Sequence, residues 1–215
     1  MKKTAVLIDA AFLRAFLPKT FAYADLAKVI ERFALSCVSD CDDEQVQRIL
    51  YYDCAPYNGN DAHKLHPLDP GRTPNSAAYR NYWNSVLTSL KAKPYFDVRL
   101  GEVSFDGWQL SDRAARDILT KARPLMADDF FPVLRQKGVE LRIGLDVALM
   151  AKDRLIDRIV VVSGDAHIVP AMKVARRQGL QVVIAMLSHT KPSLMEHADL
   201  HRKVDLPGAV AAMSS

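Results

Sequence analysis

Only three cysteines, Cys37, Cys41 and Cys54, occur in 215 residues, too few for a disulfide scaffold in a chain of this length. Cys37 and Cys41 with His63 and His66 match no familiar zinc spacing, so buried structural thiols are expected. Cys54 has no histidine base close in sequence, which argues against a thiol enzyme. No apolar run approaches the length of a membrane span. The opening MKKTAVLIDAAFLRAFL imitates a secretory signal, but Asp9 and Arg14 interrupt its apolar region and no small-residue cleavage site follows. A cytoplasmic protein with no membrane partner is the expectation. The nine glycines form no phosphate-cradling loop, so a nucleotide cofactor lacks its usual seat. No serine stands in a nucleophile elbow, and SGDAH does not supply one. An excess of one charge is missing too: 29 Lys and Arg against 25 Asp and Glu leave a net +4, which permits an anionic partner without demanding one.

What is present begins with VVVSGDAHIVPAMKVARRQG, residues 160–179. A valine run ending in a small-residue turn reads as a buried strand. Pro170 suits the first turn of a following helix, and Gly179 suits its end. Asp165 therefore stands at the carboxyl end of a strand. TAVLIDA (4–10) and VQRILYYD (46–53) read as two more strands, each closed by an aspartate. Helical spacing marks Tyr23 to about Ser39 and about Ala77 to Lys91, the second with Tyr79, Tyr82, Trp83, Val86, Leu87 and Leu90 inward. YFDVRLGEV and LQVVIAML are further strands. VELRIG reads as a short strand or turn before a helix in LDVALMAKDR, and the tail from Ser193 is helical at first. Residues 55–80 are rich in Pro, Asn, Gly and Asp and read as a long loop, of the kind that is often functional. Residues 106–131 are mixed.

Alternating strands and helices predict an α/β fold: a doubly wound, mainly parallel sheet with helices on both faces and a long insertion after the second strand. The division expected is one domain over 1–205, an insertion of approximately 55–135 and a tail over 206–215. In such sheets ligands collect beyond the carboxyl ends of the strands, where strand order reverses. That gives Asp9, Asp53 and Asp165 a shared address, and Asp146, read as the start of its helix, faces the same end. Each alone is explained by capping a helix or closing a turn. Together they repel: at ~4 Å and an effective dielectric near 20, each pair costs about 4 kcal/mol. Three such groups must hold a proton or a cation. Hard cations such as Mg²⁺ and Mn²⁺ prefer oxygen ligands, and a metal-activated water suits phosphodiester hydrolysis.

IDAAFL, YYD, QKGVELRIGLDVALMA and VVVSGDAHIVPAMKVARRQGLQVVIA together resemble the NYN domain family, which belongs to the PIN-like nuclease fold. The resemblance spans nearly the whole chain. It implies a divalent-metal-dependent acidic site of ribonuclease type, with the family's acidic positions on Asp9, Asp146 and Asp165 and a further contributor at Asp199. Two positions depart from the family: Phe12 where many members carry Asn, and His167 where many carry a second aspartate. A histidine there suits a softer divalent ion or proton donation to a leaving group. Glu140 also stands where relatives often have aspartate.

A nuclease must hold a polyanion. Lys19 and Lys191 lie in loops on the expected side, and Arg72 and Arg80 in the insertion lie beside Tyr57 and Tyr79, so basic groups meet phosphates and aromatics stack on bases. The leading expectation is an endoribonuclease on single-stranded RNA using Mg²⁺ or Mn²⁺. Two alternatives stay open: a non-catalytic RNA-binding or regulatory module, and a small-molecule enzyme using the insertion as a lid. The insertion's aromatic residues also suit a homodimer surface.

Overall fold

KKTAVLID forms β1 (Lys2–Asp9), in which Thr4 to Ile8 are buried without interruption. A strand buried on both faces needs a neighbour on each side and a helix layer above and below. The computed structural model, which describes residues 1–17, 21–39, 43–59, 64–187 and 190–211, supplies both. On one side β1 pairs in parallel with β2 (Glu44–Cys54), and on the other with β5 (Arg158–Val162). The sheet continues through β3 (Phe96–Leu110), β4 (Phe130–Lys137), β6 (Gln181–Met186) and β7 (Leu200–Lys203) in the order β4-β3-β2-β1-β5-β6-β7. All pairings are parallel except β3 with β4.

The chain fills the sheet outward from β1 in one direction, then returns to the other side of β1 with β5. The switch point lies between β1 and β5. The connections α2 (Tyr23–Ser39) and α3 (Ala77–Lys91) cover one face, burying Ile30, Phe33 and Leu90 with Val6, Ile8 and Tyr51. On the opposite face, α5 (Val139–Lys152) and α6 (Val169–Arg177) bury Ile143, Val147 and Met172 with Leu7, Tyr52 and Val161. Alternation along β1 and β2 assigns neighbouring side chains to the two cores. Short helices complete the chain: α1 (Ala10–Arg14), α4 (Asp112–Lys121), α7 (Pro192–Met195) and α8 (Leu206–Ala211). Leu206 is buried against the α2 face. No helix among the described residues is long and apolar enough to cross a membrane.

The mainly parallel sheet with helices on both faces agrees with the sequence, as do the bounds of α2 and α3. Three features differ. VELRIG is the first half of α5, because Val139, Ile143, Val147 and Met150 bury one helical stripe and the turn at Gly138 (φ 77°) starts it seven residues before Asp146. The interval 55–135 is not one excursion: α3 packs on the sheet and the first half of β3 is one of its strands, leaving the 55–76 loop and the β3–α4–β4 arm as additions. The tail is helical at first, as α7, but LHRK then forms an edge strand, β7, that the sequence did not single out. Within α3, Val86, Leu87 and Leu90 point inward as expected, whereas Tyr79 is exposed.

Candidate active site

Asp9 ends β1 and caps α1, its Oδ1 accepting the N–H groups of Ala11 (3.0 Å) and Phe12 (3.3 Å). Capping accounts for that oxygen and leaves the other. Oδ2 accepts the hydroxyl of Ser163 at 3.0 Å, and the same hydroxyl oxygen accepts the Asp165 N–H at 3.0 Å. Ser163, 2% exposed, follows β5 directly, so it joins the two turns that flank the switch point. Asp165 caps a 3₁₀ turn (Ala166–Ile168) through the His167 N–H at 3.0 Å, and its Oδ2 lies 3.3 Å from His167 Nδ1. Burial lifts the Asp9 carboxyl above the ordinary carboxylate range. The hydrogen bonds from Phe12, Ser163 and Ala11 oppose that rise, and the charge of Asp165 adds to it. A hydrophobic strand end thus brings the Asp165 turn close enough for its charge to act on Asp9, and like charges so placed favour a proton or a cation.

Asp53 closes β2 beside them but already has a cation. Arg14, in the last turn of α1, grips it with Nη1–Oδ2 at 2.9 Å and Nη2–Oδ1 at 2.8 Å, and the Cys54 N–H adds 2.7 Å. The guanidinium carbon lies 4.9 Å from the centre of the Trp83 ring. Burial pushes the Asp53 carboxyl up, Arg14 chiefly pulls it down, and Asp9 adds to the rise.

Asp146 lies in the middle of α5, not at its start. Its Oδ2 accepts the Tyr52 hydroxyl (3.0 Å) and Arg99 Nε (3.1 Å). Tyr52 is the β2 partner of Asp9 in register, so Asp146 reaches the Asp9 neighbourhood through that tyrosine. Burial, with Asp146 beside it, keeps the Tyr52 phenol protonated. Asp199 is at the other end of the molecule: it pairs with the second residue of β6 through Val182 N–H to Oδ2 (2.8 Å) and its own N–H to Val182 O (2.7 Å), with Arg176 Nε at 2.8 Å. The amino edge of a parallel sheet faces away from Asp9 and Asp165, so Asp199 is not brought to them.

Among the expected substrate contacts, Arg72 pairs with Asp128 at 2.8 Å and Arg80 Nη1 donates to Asn75 O at 2.6 Å. Both line a cavity of about 420 Å³ with Tyr57, Lys64 and Phe105. Lys191 is exposed before α7, on the carboxyl side of β6. Lys19 lies outside the described residues, as do Cys41 and His63. Both nitrogens of His66 are engaged, Nδ1 by the N–H groups of Leu68 and Asp69 and Nε2 with Ala127 O. Cys37 is a core thiol whose pKa burial pushes up to about 12.

Ser163, Arg14, Tyr52 and Arg99 hold these carboxylates, and the sequence pattern did not single them out. Ser163 was visible in the SGD turn, and Arg14 as a lone charge in an apolar helix. Among the described residues, no three His, Cys, Asp or Glu side chains are grouped to hold a metal ion. The pair Asp9 and Asp165 nevertheless suits a hard cation that takes one or two carboxylates and completes its shell with water and phosphate.

The family model "NYN domain" matches residues 73–205. That stretch carries Arg80, Asp146, Asp165, His167, Lys191 and Asp199, while Asp9, Arg14 and Asp53 precede it. No curated protein matches the chain. A solved crystal structure of a protein of unknown function from Vibrio parahaemolyticus RIMD 2210633 is similar at 17% identity, covering 95% of this chain and 93% of that one with a TM-score of 0.46.

Proposed function

The chain belongs to the NYN domain family, a PIN-like family of ribonuclease type, and from that premise we propose that it is a divalent-metal-dependent endoribonuclease acting on single-stranded RNA. The observation that carries the reading is the convergence of Asp9 and Asp165 on the Ser163 hydroxyl, at the switch point where such sheets bind ligands. Asp9 and Asp165 hold Mg²⁺ or Mn²⁺ in this reading, and Asp146 supports them through Tyr52. The bound ion supplies an activated water and offsets charge on the leaving oxygen.

The protein's own groups do the rest. From a buried position, Ser163 ties the Asp9 carboxylate to the backbone N–H of Asp165. His167, with its side chain 80% exposed and Nδ1 turned to Asp165, donates a proton from Nε2 to the leaving oxygen when the ring is the imidazolium, both nitrogens then carrying hydrogen. Arg72, Arg80, Lys191 and Lys19 meet backbone phosphates, and Tyr57 offers a stacking face. Asp199 has no part in this reading, because its oxygens serve the opposite edge of the sheet.

A second reading has one observation in its favour. Tyr52 and Arg99 both engage Asp146, which leaves two carboxylates rather than three and suits a non-catalytic RNA-binding module. Calorimetric titration of Mn²⁺ into wild type and Asp165→Asn separates the two. Metal binding by the wild type that the substitution removes, followed by metal-dependent cleavage of a fluorescent single-stranded RNA, is the expected result. RNA binding without metal binding or cleavage selects the second reading. Cleavage retained in Asp9→Asn, Asp146→Asn and Asp165→Asn alike sinks the site assignment.

A further inference from the structure

Residues 64–76 of the loop after β2 are fastened to the β3–α4–β4 arm. His66, 2% exposed, accepts the Leu68 and Asp69 N–H groups at Nδ1 and donates from Nε2 to Ala127 O. Its ring packs edge to face on Trp108 and Phe130, and Trp108 Nε1 donates to Lys64 O at 3.1 Å. These contacts fix the walls of the cavity of about 420 Å³, whose size falls within the roughly 300–1,000 Å³ of ordinary small-molecule sites. Tyr57 and Phe105, with ring centroids 5.6 Å apart, form one side of it.

The lining is cationic. Lys64, Arg72 and Arg80 contribute to it and, among the described residues, no Asp or Glu does. Asp128, the partner of Arg72, lies outside the lining with its side chain 86% exposed, and a pair so open to water is weak and yields to a better-placed anion. Arg80 Nη1 donates to the Asn75 carbonyl, which orients the guanidinium without neutralising it. The cavity also stands on the carboxyl side of the sheet, with Asp9 and Asp165. Phe105 is four residues past Gly101, the last β3 residue paired with β2, and the loop leaves β2 at Cys54. In α3, Arg80 is one turn before Trp83, whose ring lies against Arg14 beside Asp53.

We propose that this cavity holds a terminal phosphate of the RNA, a phosphomonoester at a strand end rather than a phosphodiester within the strand. The inference rests on the RNA reading above and narrows it. A phosphomonoester carries about −1.5 to −2 charge at pH 7, which three cations around one recess match better than the single charge of a diester. Arginine adds geometry to charge, because its planar fork can donate two parallel hydrogen bonds to phosphate oxygens. The recess is more enclosed than the open grooves beside α4 and α6. An enclosed recess admits an end, whereas a strand passing through needs an opening on both sides. An end held here, on the same edge as the acidic pair, sets the cut at a fixed spacing from that end.

Fluorescence anisotropy tests the pocket apart from the chemistry. One short, internally labelled single-stranded RNA is prepared with a 5′-phosphate, with a 3′-phosphate, or with hydroxyl groups at both ends. Each is titrated with the full chain in EDTA at one fixed ionic strength, because phosphate contacts weaken with salt. At least one phosphorylated form is expected to bind roughly tenfold tighter than the hydroxyl form, and the form that does so identifies the end. Arg72→Ala and Arg80→Ala should each erase most of that preference with far-UV circular dichroism unchanged, and Asp165→Asn should keep it. Equal binding of the three RNAs overturns the proposal. So does a preference that survives in a folded Arg72→Ala/Arg80→Ala double variant, which would place the phosphate elsewhere. A preference abolished by the arginine variants, in a protein that cleaves no RNA with Mn²⁺, removes the nuclease reading and upholds the pocket. Metal-dependent cleavage without any end preference does the reverse.

Discussion

Replacing Arg14 by alanine should destabilise the fold more than neutralising its partner does. The two ends of the Arg14–Asp53 pair differ in their access to water: the arginine side chain is 23% exposed, the aspartate side chain 1%. In Asp53→Asn the guanidinium can turn to solvent and keep its place over Trp83, at a cost of about 1–2 kcal/mol for the weakened hydrogen bonds. In Arg14→Ala the carboxylate has no such escape and stays buried with only the Cys54 N–H for compensation. Leaving a buried charge unpaired in this way costs about 3–5 kcal/mol. For a chain of this size that is a fall in Tm of about 10 °C. Adding Asp53→Asn to Arg14→Ala removes the stranded charge, so the double variant should recover part of the loss.

The pH dependence gives the same argument a sign. Burial raises the folded Asp53 carboxyl above its ordinary value while Arg14 pulls it down, so losing Arg14 raises it further. A carboxyl raised in the folded state holds a proton that the unfolded chain has released. The penalty therefore grows as pH climbs from about 3.9 through the raised folded value, and is complete above it. Urea unfolding of wild type, Arg14→Ala, Asp53→Asn and the double variant, each at pH 5 and pH 8, reads this out. Arg14→Ala should be the least stable at pH 8, with its deficit narrowing at pH 5. A deficit within about 1 kcal/mol of wild type, or one that widens on acidification, refutes the reasoning.

Gly164→Ala should lower stability by about 1–3 kcal/mol through overpacking, because its Cβ would sit 2.5 Å from two Phe12 ring atoms; thermal unfolding measures it, and adding Phe12→Ala should relieve the clash. The β3–α4–β4 arm should be acid-resistant. Arg123 holds Asp129 down to about 2 and, with Lys121, holds Asp117 low. Their stabilisation is full above the unfolded carboxylate value near 3.9 and is lost as pH falls through the folded ones. Trp108 fluorescence in a Trp83→Phe background should stay native at pH 4 and change toward pH 2, and a transition complete by pH 5 would contradict the assignment.

Local patterns carried the carboxyl ends of the strands. An apolar run closed by an aspartate, three times over, put Asp9, Asp53 and Asp165 at one edge, because burial on both faces and the following turn are both written within ten residues. Asp146 was misplaced within its helix because VELRIG alternates well enough to imitate a strand, and only packing against Leu7 and Tyr52 shows which period operates. β7 was missed because an edge strand of four mostly polar residues, LHRK, has neither apolar run nor alternation. The pairing of each aspartate with the group that determines what it can do was not legible, even where Ser163 and Arg14 stood out locally. Arg14 and Asp53 are 39 residues apart, Tyr52 and Asp146 are 94, and Asp9 and Ser163 are 154. No local rule selects one arginine or serine among many across such separations.

Phe12, where the family resemblance implies asparagine, can be read once its surroundings are known. The peptide N–H at this position still donates to Asp9 at 3.3 Å, so the backbone role survives a change of side chain. The ring lies over Gly164 and meets Phe16 edge to face at 5.1 Å, filling the space between the turn after β1 and the SGD turn. Asparagine there would add a polar group beside two carboxylates. Phenylalanine adds none, and its hydrocarbon lowers the dielectric around Asp9, where burial is already the largest influence on the carboxyl. Repulsion between Asp9 and Asp165 grows as the local dielectric falls. The substitution therefore removes one polar neighbour from the pair and increases its demand for a proton or a cation. Loss of the asparagine taken alone does not argue for lost chemistry.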